Sequence, residues 1–341
     1  MNRIVHTQEE YGLRPEAAEF PMMLVLSFAY PCNALCPHCP YTNSTIRKEY
    51  RDAPYMDEAL FRKIADESGQ YGALLRISGG GEPMLHPKAT ELLAYAKAAG
   101  CQIGLITNGS KFDGDNTRAL VDAGVDLIEF SVDACDPENY SRVRKGLDWQ
   151  TLVTNVKRFL DVRGETRGAS KIIASCVNQE GIDVDAVERF WVDDIGVDYL
   201  IKRKFLTWGD NTGLDGGKSA DPVQYLNTDE VPCPFIFERL NIDSRGNVMV
   251  CGYDISAHTT MGNVHKQSIR DIWHGPGFQY YRDRHLSGRG KEISLCARCP
   301  DWKYRSWQHN YWKVVKNAES ARQQKLLQLK PYDDFNMTVV E

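Results

Sequence analysis

The sequence predicts an α/β chain of six parallel strands, closed as a barrel or laid out as an open doubly wound sheet, followed by a small loop-rich module held by metal. Three observations carry this. Short apolar runs alternate strictly with amphipathic stretches across residues 22–205. A glycine recurs just before the next apolar run, at Gly72, Gly100, Gly124 and Gly196. The alternation then stops, and four of the ten cysteines fall within residues 233–303.

The expected strands are MMLVLSF (22–28), ALLRIS (73–78), QIGLIT (102–107), DLIEFSV (126–132), KIIASCV (171–177) and DYLIKRKF (198–205). Between them, stretches such as DEALFRKIADESGQYG, HPKATELLAYAKAAG and WQTLVTNVKRFLDVRG repeat apolar residues at i, i+3, i+4 and i+7, as a helix covering a sheet requires. The glycines suit left-handed helix caps. Strict strand–helix alternation means parallel strands joined by right-handed crossovers, with functional residues gathered at the strands' C-terminal ends. Residues 1–21 form an N-terminal extension. Residues 206–232, rich in Gly, Asp and Asn, form a linker loop, and LNIDSRGNVMVCG within 233–303 signals a strand pair. The tail, 304–341, is expected to hold a C-terminal helix whose Trp307, Trp312 and Val315 pack onto the module.

At 341 residues, 42% hydrophobic and 26% charged, the chain has the composition of a globular protein of about two domains. A net charge of −5 argues against a nucleic-acid surface. No run of 18 apolar residues occurs and the first twenty residues are polar, so neither a membrane span nor a secretory signal is expected; the expected location is the cytoplasm. Clustered cysteines in such a chain point to metal or catalysis rather than disulfides. Cys101, Cys135 and Cys176 lie alone in or near apolar strands and read first as small buried hydrophobes.

Cys32-Asn-Ala-Leu-Cys36-Pro-His-Cys39 follows the first strand. Three thiolates on one tight loop can ligate three irons of a cubane cluster and leave the fourth iron open to an exogenous ligand. A structural zinc ion is the alternative, but it needs a fourth ligand; His38, lying between two of the cysteines, would complete the tetrahedron only with strain.

With this loop, the sequence resembles the radical S-adenosylmethionine (SAM) superfamily. Ser78-Gly79-Gly80-Gly81-Glu82-Pro83 looks like the family's GGEP segment, which holds the SAM amino group. Thr107-Asn108-Gly109 and Ser131-Val132-Asp133, at the ends of the third and fourth strands, match family segments around SAM. The resemblance implies that Ser131 or Asp133 bonds the ribose or the methionine carboxylate. It also implies that Arg144 serves that carboxylate and that His38 sits where an aromatic ring meets adenine. The fold it implies is a partial (β/α)6 barrel.

Cys233, Cys251, Cys296 and Cys299 are enough for zinc or for a second iron–sulfur cluster. Their spacing, with IDSRGNVMVCGYD, MGNV and SIRDIWHG between them, looks like the twitch or SPASM-type module of radical SAM enzymes. That resemblance implies an auxiliary [4Fe–4S] cluster. The chain carries no further cysteine after Cys299, which matches the shorter twitch form.

The implied chemistry is reductive cleavage of SAM at a [4Fe–4S] cluster fed by a flavodoxin- or ferredoxin-type donor, then abstraction of a hydrogen atom from the substrate. An auxiliary cluster that accepts the second electron makes the reaction a two-electron dehydrogenation, an oxidoreductase. The alternative is that this cluster is purely structural. Only 21 residues precede the first strand, too few for a leader-binding domain, so the expected substrate is a polar small molecule such as a sugar, aminocyclitol or nucleoside of an antibiotic pathway. Alternatives are a redox-neutral epimerase or decarboxylase, or a maturase of a ribosomal peptide. An epimerase needs a thiol that returns hydrogen, for which Cys135 and Cys176 are the candidates. In Lys202-Arg203-Lys204, strand parity sets Arg203 on one face and the lysines on the other, and Arg203 is the expected substrate contact. Glu188 reads as a surface residue, while Trp208, Asp210 and Asn211 could line the pocket.

Overall fold

β-Branched and leucine-rich runs of four to eight residues, flanked by Asp-capped helices, build a mostly parallel sheet. The computed structural model describes residues 17–205, 232–233, 235–255, 259–297 and 299. In chain order these comprise β1 (Met23–Leu26), α1 (Ser44–Glu49), α2 (Glu58–Gln70), β2 (Leu74–Ile77), α3 (Ala89–Ala98), β3 (Gln102–Thr107), α4 (Gly114–Asp122) and β4 (Leu127–Ser131). Then come α5 (Pro137–Val143), α6 (Trp149–Thr166), β5 (Lys171–Asn178), α7 (Val184–Glu188) and β6 (Tyr199–Lys204). All six expected strands are present, in the order β1 to β6 along one parallel sheet. Trp208, Asp210, Asn211, Trp307, Trp312 and Val315 lie outside the described residues.

Helices α2, α4, α5, α6 and α7 begin on Asp57, Asp113, Asp136, Asp148 and Asp183, whose carboxylates accept first-turn backbone N–H groups. Each cap satisfies donors the helix cannot pair and places a negative charge at the positive end of its dipole. The stretch expected to be one helix before Gly196 is instead α7 followed by a wide π-turn, Arg189–Ile195. That turn carries Trp191, fully buried, whose Nε1 donates to the Ala134 carbonyl at 2.8 Å.

The second module is joined to the barrel more closely than the change in sequence pattern suggested. After α8 (Phe235–Glu238) comes β7 (Arg239–Ile242), which pairs in parallel with β1, Leu24 facing Leu240. β8 (Asn247–Met249) and β9 (Thr260–Asn263) continue antiparallel, giving the order β6-β5-β4-β3-β2-β1-β7-β8-β9. Three helices follow: α9 (Ile269–His274), α10 (Pro276–Leu286) and α11 (Ser294–Ala297).

Side chains alternate along each strand, so the inner face of the sheet is tiered. The lowest tier is apolar: Met23, Leu74, Leu127, Ile173 and Ile201 pack on one another. One step up, Arg76, Glu129, Ser175, Arg203 and Asn241 face a cavity, and above them stand Ser27, Ser78, Ser131 and Val177. The outward residues join the main core under the helices, where Phe159 meets Phe112 and Phe130 edge-on at 4.8 and 5.4 Å. Among the described residues, no helix is long and apolar enough to cross a membrane.

Phe159 is fully buried, so Phe159→Ala is expected to cost about 3–5 kcal/mol, most of it from a cavity the aromatic cluster cannot refill. Chemical denaturation measures this, and a loss below about 1 kcal/mol would mean the cluster collapses into the space.

Candidate functional site

The site lies at the C-terminal ends of β1–β5, where the sequence placed it. Cys32, Cys36 and Cys39 all line one cavity of ≈ 360 Å³. Their loop is held from several sides. The Glu82 N–H donates to the Pro31 carbonyl at 2.9 Å, and the Leu35 N–H to the Lys145 carbonyl at 2.7 Å. Asn33 Nδ2 donates to Ser110 Oγ at 2.8 Å, and Asn108 Nδ2 to Asn33 Oδ1 at 3.0 Å.

The glycine segment lies flush against this loop. Gly79 and Gly80 have φ of 87° and 78°, a region open chiefly to glycine. At Gly81, a Cβ would fall 2.2 Å from the Pro31 oxygen and 2.4 Å from the Tyr30 oxygen. Absence of a side chain there is therefore first a packing requirement between two loops. Gly80 and Gly81 also line the cavity, whereas Pro83 opens a 3-10 turn behind it.

Two carboxylates expected to face a ligand are used differently. Glu82 is buried, and it accepts from Thr107 Oγ1 at 2.6 Å, from the Asn108 N–H at 2.7 Å and from the Met84 N–H at 3.1 Å. Burial pushes its carboxyl above the usual range against these donors. It lines the cavity while tying the glycine segment to the end of β3. Asp133 has no exposed surface and does not line the cavity. It holds a left-handed φ of 56°, accepts from the Val177 N–H at 2.7 Å and pairs with Arg144 Nη2 at 2.7 Å. Arg144 in turn reaches Cys36 Sγ from Nη1 at 3.7 Å. Asp133 thus acts on the site through Arg144, since strand β4 turns away just beyond Ser131, which does line the cavity.

The donor set fits an iron–sulfur cluster. Burial raises the Cys36 thiol and pushes Cys39 up to about 12, and bound iron would supply the positive charge that offsets this burial. His38 turns Nε2 toward Asp133 Oδ2 at 3.5 Å, and burial lowers it to about 4. Its ring lines the cavity, as the adenine-facing expectation requires, and its Nε2 is directed toward Asp133. Among the described residues, no three His, Cys, Asp or Glu side chains converge on a single ion. Thiolates of a cubane bind separate irons and do not have to converge.

Cys135 and Cys176, offered as hydrogen donors, are not on the cavity wall. Strand parity is the reason for Cys176: Ser175 and Val177 face the cavity, which turns Cys176 into the core beneath the helices. Cys135 packs at the margin of that same core. Arg203 does face the cavity, with Nη2 2.6 Å from Glu129 Oε1, while Lys202 points out to Asp185 and to the partly exposed Glu188 at 2.6 and 2.8 Å. The sequence reading missed Arg76, Glu129, Arg239 and Asn241, which also line the cavity. The signal was there: ALLRIS and DLIEFSV each carry one ionisable residue inside an apolar strand. Burial alone would lift the Glu129 carboxyl, but Arg203 and then Arg76 outweigh it and hold it below the usual range.

At the second cysteine set, Cys233, Cys299 and Tyr253 pack together with Cys251 and Phe235. The Cys299 N–H donates to the Cys296 carbonyl at 3.2 Å, and the Tyr253 N–H reaches Cys251 Sγ at 3.5 Å. Gly252, Tyr253, Asp254 and Ile255, which follow Cys251, line the same cavity as the first three thiols. One chamber is therefore lined by the first three thiols and by the segment that follows Cys251.

Comparison with known proteins agrees with this arrangement. Residues 26–180 match the radical SAM superfamily, and residues 233–300 match the SPASM iron-sulfur cluster-binding domain. The chain is 32% identical over 326 residues to the PqqA peptide cyclase of Xanthomonas campestris pv. campestris (strain 8004), covering 83% of this chain and 81% of that one. Among solved structures it shares its fold with Streptococcus suis SuiB bound to precursor peptide SuiA, at TM-score 0.62 and 15% identity over 84% of this chain and 71% of SuiB. It shares it also with BtrN in complex with AdoMet and 2-DOIA, at TM-score 0.55 and 18% identity over 82% of this chain and 93% of BtrN. The chain belongs to the radical SAM superfamily and carries a SPASM-type iron–sulfur domain, so its cofactors are SAM, a SAM-binding [4Fe–4S] cluster and auxiliary iron–sulfur.

Proposed function

We propose that this chain is a peptide-modifying enzyme that removes a hydrogen atom from a residue held in the shared cavity and leaves the product oxidised by two electrons. The observation that carries the reading is the likeness to a peptide cyclase over most of both chains. A fold in common with SuiB, which binds a precursor peptide, supports it. The expectation of a small polar substrate, drawn from the short stretch before β1, becomes the second reading. Its support is the charged tier of Arg76, Glu129 and Arg203 in the cavity.

Cys32, Cys36 and Cys39 hold the first cluster, and Gly80, Gly81, Thr107, Asn108, Ser131 and His38 form the wall around SAM. When bound, SAM and a reduced cluster supply a carbon-centred radical able to take hydrogen from an unactivated C–H bond. The chain's own part is placement and exclusion of water. Arg144, fixed by Asp133, directs a guanidinium at the Cys36 sulfur and the cavity beside it. Glu82 keeps the glycine segment seated on the cysteine loop. Arg203, fixed by Glu129, contacts the substrate on the cavity's lower side. Cys233, Cys251, Cys296 and Cys299 would hold an auxiliary cluster, which would supply an acceptor for the second electron. A flavodoxin- or ferredoxin-type protein supplies the first.

Anaerobic co-expression with a short peptide encoded beside this gene tests the reading. The peptide is expected to lose two hydrogen atoms, with one 5′-deoxyadenosine formed per modified chain, and Cys36→Ala is expected to abolish both. Cys296→Ala with Cys299→Ala is expected to keep deoxyadenosine formation and lose the oxidised peptide; product at full rate from that variant contradicts the acceptor role. An unaltered peptide, alongside turnover of a small polar molecule, moves the assignment to the second reading.

Glu129 yields a separate expectation. Its lowered pKa contributes stability that is present above the unfolded carboxyl value and lost as pH falls through the folded one. In Arg203→Met, Arg76 alone is left as a cation against burial, so the folded pKa rises and the stability that the lowered pKa contributes shrinks. The variant's deficit is expected to grow as pH rises from about 4 to 7, toward about 1–3 kcal/mol, the cost of a buried group that loses one of its charged partners. Urea midpoints at low and neutral pH measure it, and a pH-independent deficit contradicts it.

A further inference from the structure

His285 stands on the last turn of α10, 1% exposed, and touches two of the four cysteines of the second set. Its Nδ1 accepts the backbone N–H of Cys233 at 3.2 Å. A ring nitrogen that accepts a hydrogen bond carries no proton, which leaves the ring's N–H on Nε2. Nε2 lies 3.5 Å from Cys296 Sγ. The backbone contact therefore selects the tautomer that presents an N–H to the sulfur. The ring is also closely packed: a Cβ at Gly290 would stand 2.8 Å from its Cε1 and 2.9 Å from its Nδ1. Tight packing against Gly290 and a fixed backbone donor at Nδ1 hold the ring in this orientation.

We propose that His285 is a positioning residue that sets the reduction potential of the auxiliary cluster by donating a hydrogen bond from Nε2 to the Cys296 thiolate. Reduction adds negative charge to a cluster, and part of it spreads onto the thiolate sulfurs. A donor N–H stabilises the more negative state more strongly, so it raises the potential. An acceptor with a raised potential takes an electron from a substrate radical more readily, which favours net oxidation in the shared chamber. The same ring anchors the Cys233 backbone, so one residue couples two ligands that lie far apart in sequence. This inference rests on the assignment of Cys233, Cys251, Cys296 and Cys299 as the auxiliary ligands.

The test uses the full chain with Cys32, Cys36 and Cys39 changed to Ala, so that only the auxiliary cluster contributes to the spectra. Iron content and an electron paramagnetic resonance redox titration are measured for this chain and for added His285→Leu, His285→Gln and Gly290→Ala. With Leu, the ratio of reduced to oxidised cluster at fixed potential is expected to fall about tenfold, roughly 59 mV for one electron. Gln, which keeps an N–H donor, is expected to stay close to the parent, and Gly290→Ala, which presses on the ring, to move in the direction of Leu. In the parent, electron–nuclear double resonance is expected to show a weakly coupled exchangeable proton that disappears with Leu. An unchanged potential in Leu overturns the proposal. If Leu takes up no iron, an unchanged potential in Gly290→Ala or a missing exchangeable proton in the parent overturns it. Strong nitrogen coupling in protein labelled with 15N-histidine also overturns it, because His285 is then itself a ligand. A parent chain that binds no iron overturns the ligand assignment, and the proposal with it.

Discussion

Two loops pressed backbone to backbone hold this site together. Chain entering the cysteine loop at Tyr30 and Pro31 passes so close to the glycine segment that no Cβ fits at Gly81. That contact, closed by the Glu82 N–H on the Pro31 carbonyl, fixes where Cys32 begins. Asn108 and Arg144 then engage Asn33 and Cys36 from β3 and from the end of α5. The ends of β1, β2 and β3 and of helix α5 thus meet at one three-thiol loop, and the order of the strands in the sheet is what makes the meeting possible.

A second constraint works below the thiols. Ionisable side chains inside a barrel are costly unless paired, and here Glu129 stays charged between Arg203 and Arg76 rather than taking up a proton. The interior therefore grades from an apolar plug at its base, through a charged tier, to the hydroxyls and thiols near its rim. β7 and the segment after Cys251 complete that wall from the SPASM domain, so the chamber belongs to both parts of the chain.

Much of this was legible in the order of residues. Parallel strands follow from alternating patterns, and their ends from the positions of Gly72, Gly100, Gly124 and Gly196, all of which adopt positive φ. The cysteine loop and Ser131 follow from motif; strand parity separates Arg203 from the lysines, and only the fold shows that its face is the inner one. What escaped was the direction of side chains after a strand ends. Both carboxylates were expected to meet a ligand, yet Asp133 turns to the Val177 N–H and Arg144, while Glu82 lines the cavity with its oxygens held by Thr107 and backbone N–H groups. Cys176 is the small buried hydrophobe it was first expected to be, since Ser175 and Val177 hold the inner face of β5, and its alternative role as a hydrogen donor falls away. Pairing of β7 with β1 is a long-range contact that local periodicity does not encode.

The account depends on a cluster with three protein thiolates whose fourth iron is open to SAM. Electron paramagnetic resonance of the reduced, iron-loaded chain, recorded before and after adding SAM, tests this most directly. A change in the signal that is lost in Cys36→Ala is the predicted result, since SAM then binds at the open iron. A spectrum indifferent to SAM, from a chain that holds its full iron, would contradict it.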